Sequence, residues 1–112
     1  MPTGLPHRTE VMWLVLRAMR DLDRQATARE ICERVVVVGG LSGQQQSIPG
    51  PKSKPRTSRI EDEVAWSLFA LRKGAHAVDR TKTRPARWFL TQKADALTAD
   101  AMRAVLRESL RP

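Results

Sequence analysis

The chain has few acidic residues, a single cysteine and no long apolar run. Twelve Asp and Glu stand against 20 Lys and Arg, which gives a formal net charge of +8. Cys32 cannot form an internal disulfide, which fits a reducing cytosol. No apolar run approaches the roughly 20 residues that span a bilayer, and the start of the chain lacks the charged-then-apolar order of a signal peptide. We therefore expect a cytoplasmic protein with no membrane partner.

Patterns for catalysis or metal binding are also missing. His7 and His76 lie far apart, with no HxxxH or CxxC spacing to hold a metal. Cys32 has no evident base beside it. The segment GGLSG at residues 39–43 lacks the Lys-Ser/Thr pair that completes a phosphate-binding loop. We expect no enzyme activity, no metal and no cofactor.

The excess of positive charge is the main compositional signal. At 112 residues the chain forms one domain with room for a three- or four-helix core. The net charge favours a polyanion, either nucleic acid or an anionic membrane. Many small proteins are basic, so the positions of the cations matter more than their number.

Two helices and a very short strand are predicted in the first third of the chain. The first helix runs from Pro6 to about Leu22, because apolar residues recur at the helical period and proline is tolerated in a first turn. A capping box from Thr27 to Glu30 opens the second helix, which ends before Gly39. The strand is expected at residues 25–27.

Residues 39–58 are predicted to form a basic loop without regular structure, because three prolines and several glycines interrupt them. Lys52, Lys54 and Arg56 follow one another with no acid between them. The loop is interpreted as a mobile arm that follows phosphates, and a solvated linker is the alternative.

The third helix is predicted at about residues 59–73, opened by a capping box from Ser58 to Glu61 and stopped by Gly74. Four apolar positions form its buried face: Ile60, Val64, Leu68 and Leu71. Five residues lie on or near the opposite side: Asp62, Trp66, Phe69, Ala70 and Lys73. Exposed aromatic area on that side is typical of a contact surface.

A hairpin and a last helix complete the predicted elements. Residues 77–79 can pair with residues 88–90 around a basic tip at 80–85, which carries Arg80, Lys82 and Arg84. Thr91 or Thr98 can cap helical material within residues 94–112, which either packs on the core or forms a dimer. Its apolar residues are Met102, Val105, Leu106 and Leu110.

Together these elements resemble the winged-helix domain at the N-terminus of Mrr-type restriction proteins and in related stand-alone bacterial proteins. The matching segments are LPHRTEVMWLVLRAM, ATAREICERV, VAWSLFALRK and RWFLT, within residues 5–93. Trp66 on the third helix and Trp88 in the returning strand are the paired signatures. The resemblance implies an α+β, mostly α fold: a winged helix-turn-helix with a three-helix core, a short β-hairpin wing and an additional C-terminal helix.

The resemblance also implies binding of double-stranded DNA, as the targeting module of a modification-dependent restriction system or as a regulator, associated with the nucleoid. A nuclease domain or subunit would then be a separate partner, and a homodimer is an open alternative. The candidate phosphate contacts come from the loop, the third helix and the wing tip: Lys52, Lys54, Arg56, Lys73, Arg80, Lys82 and Arg84.

Base reading is expected from the third helix in the major groove. Arg59 can pair with guanine, and Asp62 either accepts a hydrogen bond from a base or simply favours the helix N-terminus. Trp66 and Phe69 can line a site for a methyl group of N6-methyladenine or 5-methylcytosine, unless Trp66 leans against Trp88 as part of the core. Two rival functions stay open: a protein-interaction or dimerisation module that uses Trp13 and the C-terminal helix, and a transcriptional regulator without modified-base preference.

Overall fold

The computed structural model describes residues 4–109, which form a mostly helical α+β domain with one small sheet, as predicted. None of the helices in this range is both long and apolar enough to cross a membrane. The elements in chain order are α1 (Arg8–Asp21), β1 (Gln25–Thr27), α2 (Ala28–Val38), α3 (Gly43–Gln46), α4 (Arg59–Ala75), β2 (Val78–Arg80), β3 (Arg87–Leu90), α5 (Gln92–Asp95) and α6 (Ala99–Ser109).

The core is built around α1, which packs against α2, α4 and α6. Its apolar residues at helical spacing are inaccessible to solvent, whereas Leu14 and Leu22, predicted in the same stripe, are only partly buried. The capping boxes predicted for α2 and α4 are both present, since Thr27 and Ser58 each accept a hydrogen bond from the backbone of the glutamate three residues later. The starts of α2 and α4 were therefore predicted correctly, whereas α1 begins at Arg8 and not at Pro6.

The sheet has the order β1-β3-β2 and is antiparallel throughout. Trp88 in the central strand β3 lies opposite Ala26 of β1 and Arg80 of β2. The predicted short strand and hairpin are confirmed, but Arg80, predicted at the hairpin tip, is the last residue of β2, and residues 81–86 form the tip. Trp88 is 4% exposed, because it packs into the core from the middle of the sheet.

The loop at residues 39–58 differs from the prediction, because it contains regular structure. Ser42 and Gln45 form a third capping box, which opens the short helix α3. Residues 49–58 then form a closed loop whose neck is a bridge between Pro49 and Ser58. Within the neck, the Gly50 N–H donates to the Thr57 carbonyl at 3.0 Å. This segment is therefore a loop closed by backbone hydrogen bonds.

Gly74 was predicted to end the helix that is α4 in the structure, and this prediction was wrong. α4 continues through Ala75 and ends at His76, which has a left-handed backbone with φ of 53°. A Cβ atom on Gly74 would lie 3.0 Å from Cγ1 of Val105. Gly74 therefore lets α6 approach α4 closely.

The approach of α6 also explains why Ala70, predicted near the outward side of α4, is buried at 5% exposure. Helix α6 packs mainly on α4, and its apolar residues Met102 and Val105 are buried there. Leu110 lies outside the described residues.

Candidate nucleic-acid interface

The outward face of α4 is the side turned away from the core. It carries five residues named in the sequence analysis: Arg59, Asp62, Trp66, Phe69 and Lys73. Phe69 is 49% exposed, whereas Trp66 is partly buried. The two aromatic residues meet different neighbours: Arg8 contacts Trp66, and Arg80 contacts Phe69.

The first stack consists of Arg8 and Trp66. The Arg8 guanidinium carbon lies 4.3 Å from the centre of the Trp66 ring. The Arg8 Nε also donates to both carboxylate oxygens of Glu63, at 3.2 and 3.0 Å. The Glu63 side chain is only 8% exposed, and Arg59 Nε lies 3.5 Å from its Oε1. The charge of Arg8 is therefore balanced inside the protein.

The second stack consists of Arg80, Phe69 and Trp88. The two aromatic rings meet edge to face, with centres 5.3 Å apart and an interplanar angle of 87°. The Arg80 guanidinium carbon lies 5.1 Å from the Phe69 ring centre and 5.5 Å from that of Trp88. Among the described residues, Phe69 and not Trp66 makes the aromatic contact with Trp88. No acidic side chain of the described range forms an ion pair with Arg80.

Two residues predicted to contact DNA form an ion pair with each other. Lys54 Nζ lies 3.2 Å from Oδ1 of Asp62, which joins the closed loop to the first turn of α4. The Asp62 side chain is 24% exposed. This ion pair reduces the ability of Lys54 to bind a phosphate and of Asp62 to accept from a base. Lys52 and Arg56 in the same loop are exposed, and neither has an acidic partner within residues 4–109.

The hairpin tip presents two further cations on an ordered loop. The Thr81 hydroxyl accepts from the Arg87 N–H at 2.9 Å, and Thr81 and Thr83 share a hydrogen bond of 2.6 Å. Lys82 and Arg84 are exposed beside these threonines and have no ion pair with any described residue. The tip therefore holds unneutralised charge at the end of a short hairpin.

Asp79 directly precedes Arg80 of the second stack in the sequence, and its carboxylate is hydrogen-bonded to Arg72. The Arg72 Nε donates to Oδ1 of Asp79 at 2.9 Å. This hydrogen bond, with a second one from the Arg80 backbone N–H, lowers the pKa of the Asp79 carboxyl. Asp79 is thus hydrogen-bonded to the Arg72 side chain, and its charge interacts with that of Arg80 only at longer range.

Three residues of this region were missed from the sequence: Arg8, Glu63 and Arg72. Glu63 had a detectable signal, because it stands four residues after Arg59, where opposite charges on a helix meet. Arg8 had none, since 55 residues separate it from Glu63. Only the packing of α1 against α4 brings the two side chains together.

Cys32, for which the sequence shows no neighbouring base, lines a groove between α2 and α4. Burial raises the pKa of the Cys32 thiol to about 11, and the nearby carboxylates of Glu61 and Glu33 act in the same direction. The thiol is therefore protonated at neutral pH and is a poor nucleophile.

Comparison of the chain with protein-family models, with curated proteins and with solved structures gave no significant match. The resemblance to the Mrr-type winged helix therefore stays a prediction from the sequence.

Proposed function

We propose that this protein binds double-stranded DNA as a winged-helix module, with α4 in the major groove. The closed loop at residues 49–58 and the tip of the β2–β3 hairpin then contact phosphates. The mixed fold, with its three-stranded antiparallel sheet, is compatible with such a module.

The observation that carries the proposal is the distribution of unpaired cations around the outward face of α4. Lys52 and Arg56 lie in the closed loop that the Lys54–Asp62 pair joins to the first turn of α4, and Arg80 contacts Phe69 further along the same face. Among the described residues, six exposed cations of this region lack an acidic partner: Lys52, Arg56, Lys73, Arg80, Lys82 and Arg84. A polyanion supplies the counter-charge that the chain does not.

Titration of a labelled duplex tests the proposal. If six phosphates are neutralised, the logarithm of the affinity falls against the logarithm of salt concentration with a slope of about −5. Changing Lys82 and Arg84 to alanine lowers the size of this slope by about 2. The control changes Arg17 and Arg107, exposed on α1 and α6, and leaves the slope as it was. Absence of binding to any duplex at about 50 mM salt would refute the proposal.

The proposal includes a methylated base, N6-methyladenine or 5-methylcytosine, as a ligand of the outward face. Support comes from Phe69, whose 49% exposure leaves an apolar surface on this face. Apolar side chains read the thymine methyl group in the major groove in the same way. Trp66 is the weaker candidate, because it is partly buried and its ring centre lies 4.3 Å from the guanidinium carbon of Arg8, closer than that of Phe69 lies to Arg80.

Three matched duplexes separate this part of the proposal from DNA binding itself: unmodified, methyladenine-containing and methylcytosine-containing. We expect tighter binding to one of the methylated duplexes, and loss of that preference in the Phe69→Ala variant. Equal affinity for all three duplexes would refute recognition of a modified base. The protein would then be a DNA-binding regulator without a preference for methylated DNA.

A further inference from the structure

Glu63 is a buried carboxylate on α4 that meets arginines from two separate elements. Its side chain is 8% exposed, and it contacts Arg8 at the start of α1 and Arg59 at the start of α4. A buried carboxylate is strongly destabilising when it loses its only partner. At least one of the two arginines must therefore remain on Glu63 in any functional state.

The two arginines are held unequally. Arg8 donates to both carboxylate oxygens, lies over the Trp66 ring and has a side chain that is 31% exposed. Arg59 is 50% exposed, and its 3.5 Å ion pair with Glu63 is the single polar contact of its guanidinium within the described chain. Arg8 is thus the fixed partner of the carboxylate, and Arg59 keeps donors for another ligand.

The position of Arg59 in the helix makes its free donors relevant to DNA recognition. Arg59 is the first residue of α4, the end of the helix that meets base edges if the protein binds DNA as proposed. A bidentate contact with guanine requires one orientation of the guanidinium plane. A carboxylate fixed behind Nε restricts the side chain before binding and so reduces the entropy lost on binding.

We propose that Glu63 is a positioning residue that orients Arg59 for base recognition, with Arg8 and Trp66 holding the carboxylate in place. The inference rests on the proposed DNA binding. It assigns Trp66 a supporting function behind the recognising side chain, where the sequence had suggested direct contact with a methyl group.

The test begins with a library of duplexes that have a randomised centre, from which the unaltered protein selects its preferred sequence. The selected duplex is then compared with duplexes in which each base pair is substituted in turn. We expect Glu63→Gln to lower the largest of these affinity ratios about tenfold, as Arg59→Gln does. The two changes together should cost no more discrimination than Arg59→Gln alone.

Two further variants separate positioning from folding and from charge. Arg8→Gln combined with Glu63→Gln removes both charges of the pair, so that neither is left unpaired and the net charge is unchanged. This double variant should lose the same discrimination. Glu33→Gln removes one carboxylate from the exposed Arg29–Glu33 pair of α2 and should leave the ratios unaltered. Circular dichroism and thermal unfolding confirm that each variant is folded before it is compared.

Three outcomes overturn the inference. If Glu63→Gln tightens binding to every duplex equally and keeps the ratios, Glu63 only competes with DNA for Arg59. If the unaltered protein binds the library but selects no sequence, DNA binding stands and the orientation of Arg59 has no function in recognition. If the unaltered protein retains no duplex, the proposed function fails and the inference falls with it.

Discussion

The two arginine–aromatic stacks on α4 have similar geometry and different electrostatics. In the first stack, Arg8 lies 4.3 Å from the Trp66 ring and also binds the buried carboxylate of Glu63. In the second stack, Arg80 lies 5.1 Å from the Phe69 ring and has no acidic partner in the described chain. The aromatic contact alone therefore does not determine the function of the arginine. Where a buried carboxylate lies beside it, the arginine stabilises the fold, and where no ion pair forms, the arginine stays available to a ligand.

The first stack joins two helices of the core, and the second joins the hairpin to α4. Loss of the first should therefore affect stability, and loss of the second should affect binding. Four experiments separate these roles, in order of decreasing effect.

The largest effect is expected from Arg8→Met. This change leaves Glu63 buried with only the longer contact to Arg59, so the free energy of unfolding should fall by about 2–3 kcal/mol. Arg80→Met removes an exposed cation and should change the same quantity far less. Urea denaturation measures both, and equal destabilisation by the two variants would contradict the distinction.

DNA binding should show the opposite order. Arg80→Met should lower duplex affinity about tenfold at low salt and reduce the size of the salt slope by about 1. Arg8→Met, measured at a temperature where it is folded, should leave the slope unchanged, because its charge is already balanced. A slope that changes equally in both variants would mean that the first stack also contacts phosphates.

A double-mutant cycle measures the second stack itself. Phe69→Ala and Arg80→Met, separately and together, should give a coupling free energy of about 0.5–1 kcal/mol in unfolding experiments. Trp66→Ala with Arg8→Met should give a larger coupling, because Glu63 shares the contact. Additive effects at Phe69 and Arg80 would show that the cation does not depend on the ring.

The smallest effect concerns Asp79, which accepts a hydrogen bond from the Arg72 side chain. Because the pKa of folded Asp79 lies below its ordinary value of 3.8, the carboxylate contributes stability above that value and loses it as the pH falls through the folded-state pKa. Asp79→Asn should therefore lower Tm slightly at pH 7 and have no effect at strongly acid pH. Since it also frees the charge of Arg72, duplex affinity should rise a few-fold.

Much of the fold followed from local signals. The capping boxes at Thr27 and Ser58 fixed the starts of α2 and α4, because the reciprocal hydrogen bonds form within a single turn. The short strand and the hairpin were also placed correctly. These features depend on residues close together in the sequence.

One error concerned a local signal, because Ser42 and Gln45 form a capping box that was not predicted, and the others came from contacts between residues further apart in the sequence. Gly74 is typical of a helix end, but in the structure its lack of a side chain lets Val105 of α6 pack against α4. The loop at residues 39–58 reads as irregular, but the pairing of Pro49 with Ser58 closes it. In the candidate site, Arg8 could not be predicted, because it meets Glu63 only through the packing of α1 on α4. The outward face of α4, in contrast, could be predicted from helical periodicity alone.

The neck of the closed loop at residues 49–58 has a practical consequence for engineering. A Cβ atom on Gly50 would lie 2.3 Å from the Thr57 carbonyl oxygen, so the two chain segments touch at this point. Because the ends of the loop are held together, residues 51–56 can change in length without moving the cap of α4 at Ser58. A dye or a foreign peptide can therefore be inserted in this segment, next to the helix that it would report on, provided that Lys52, Lys54 and Arg56 are kept.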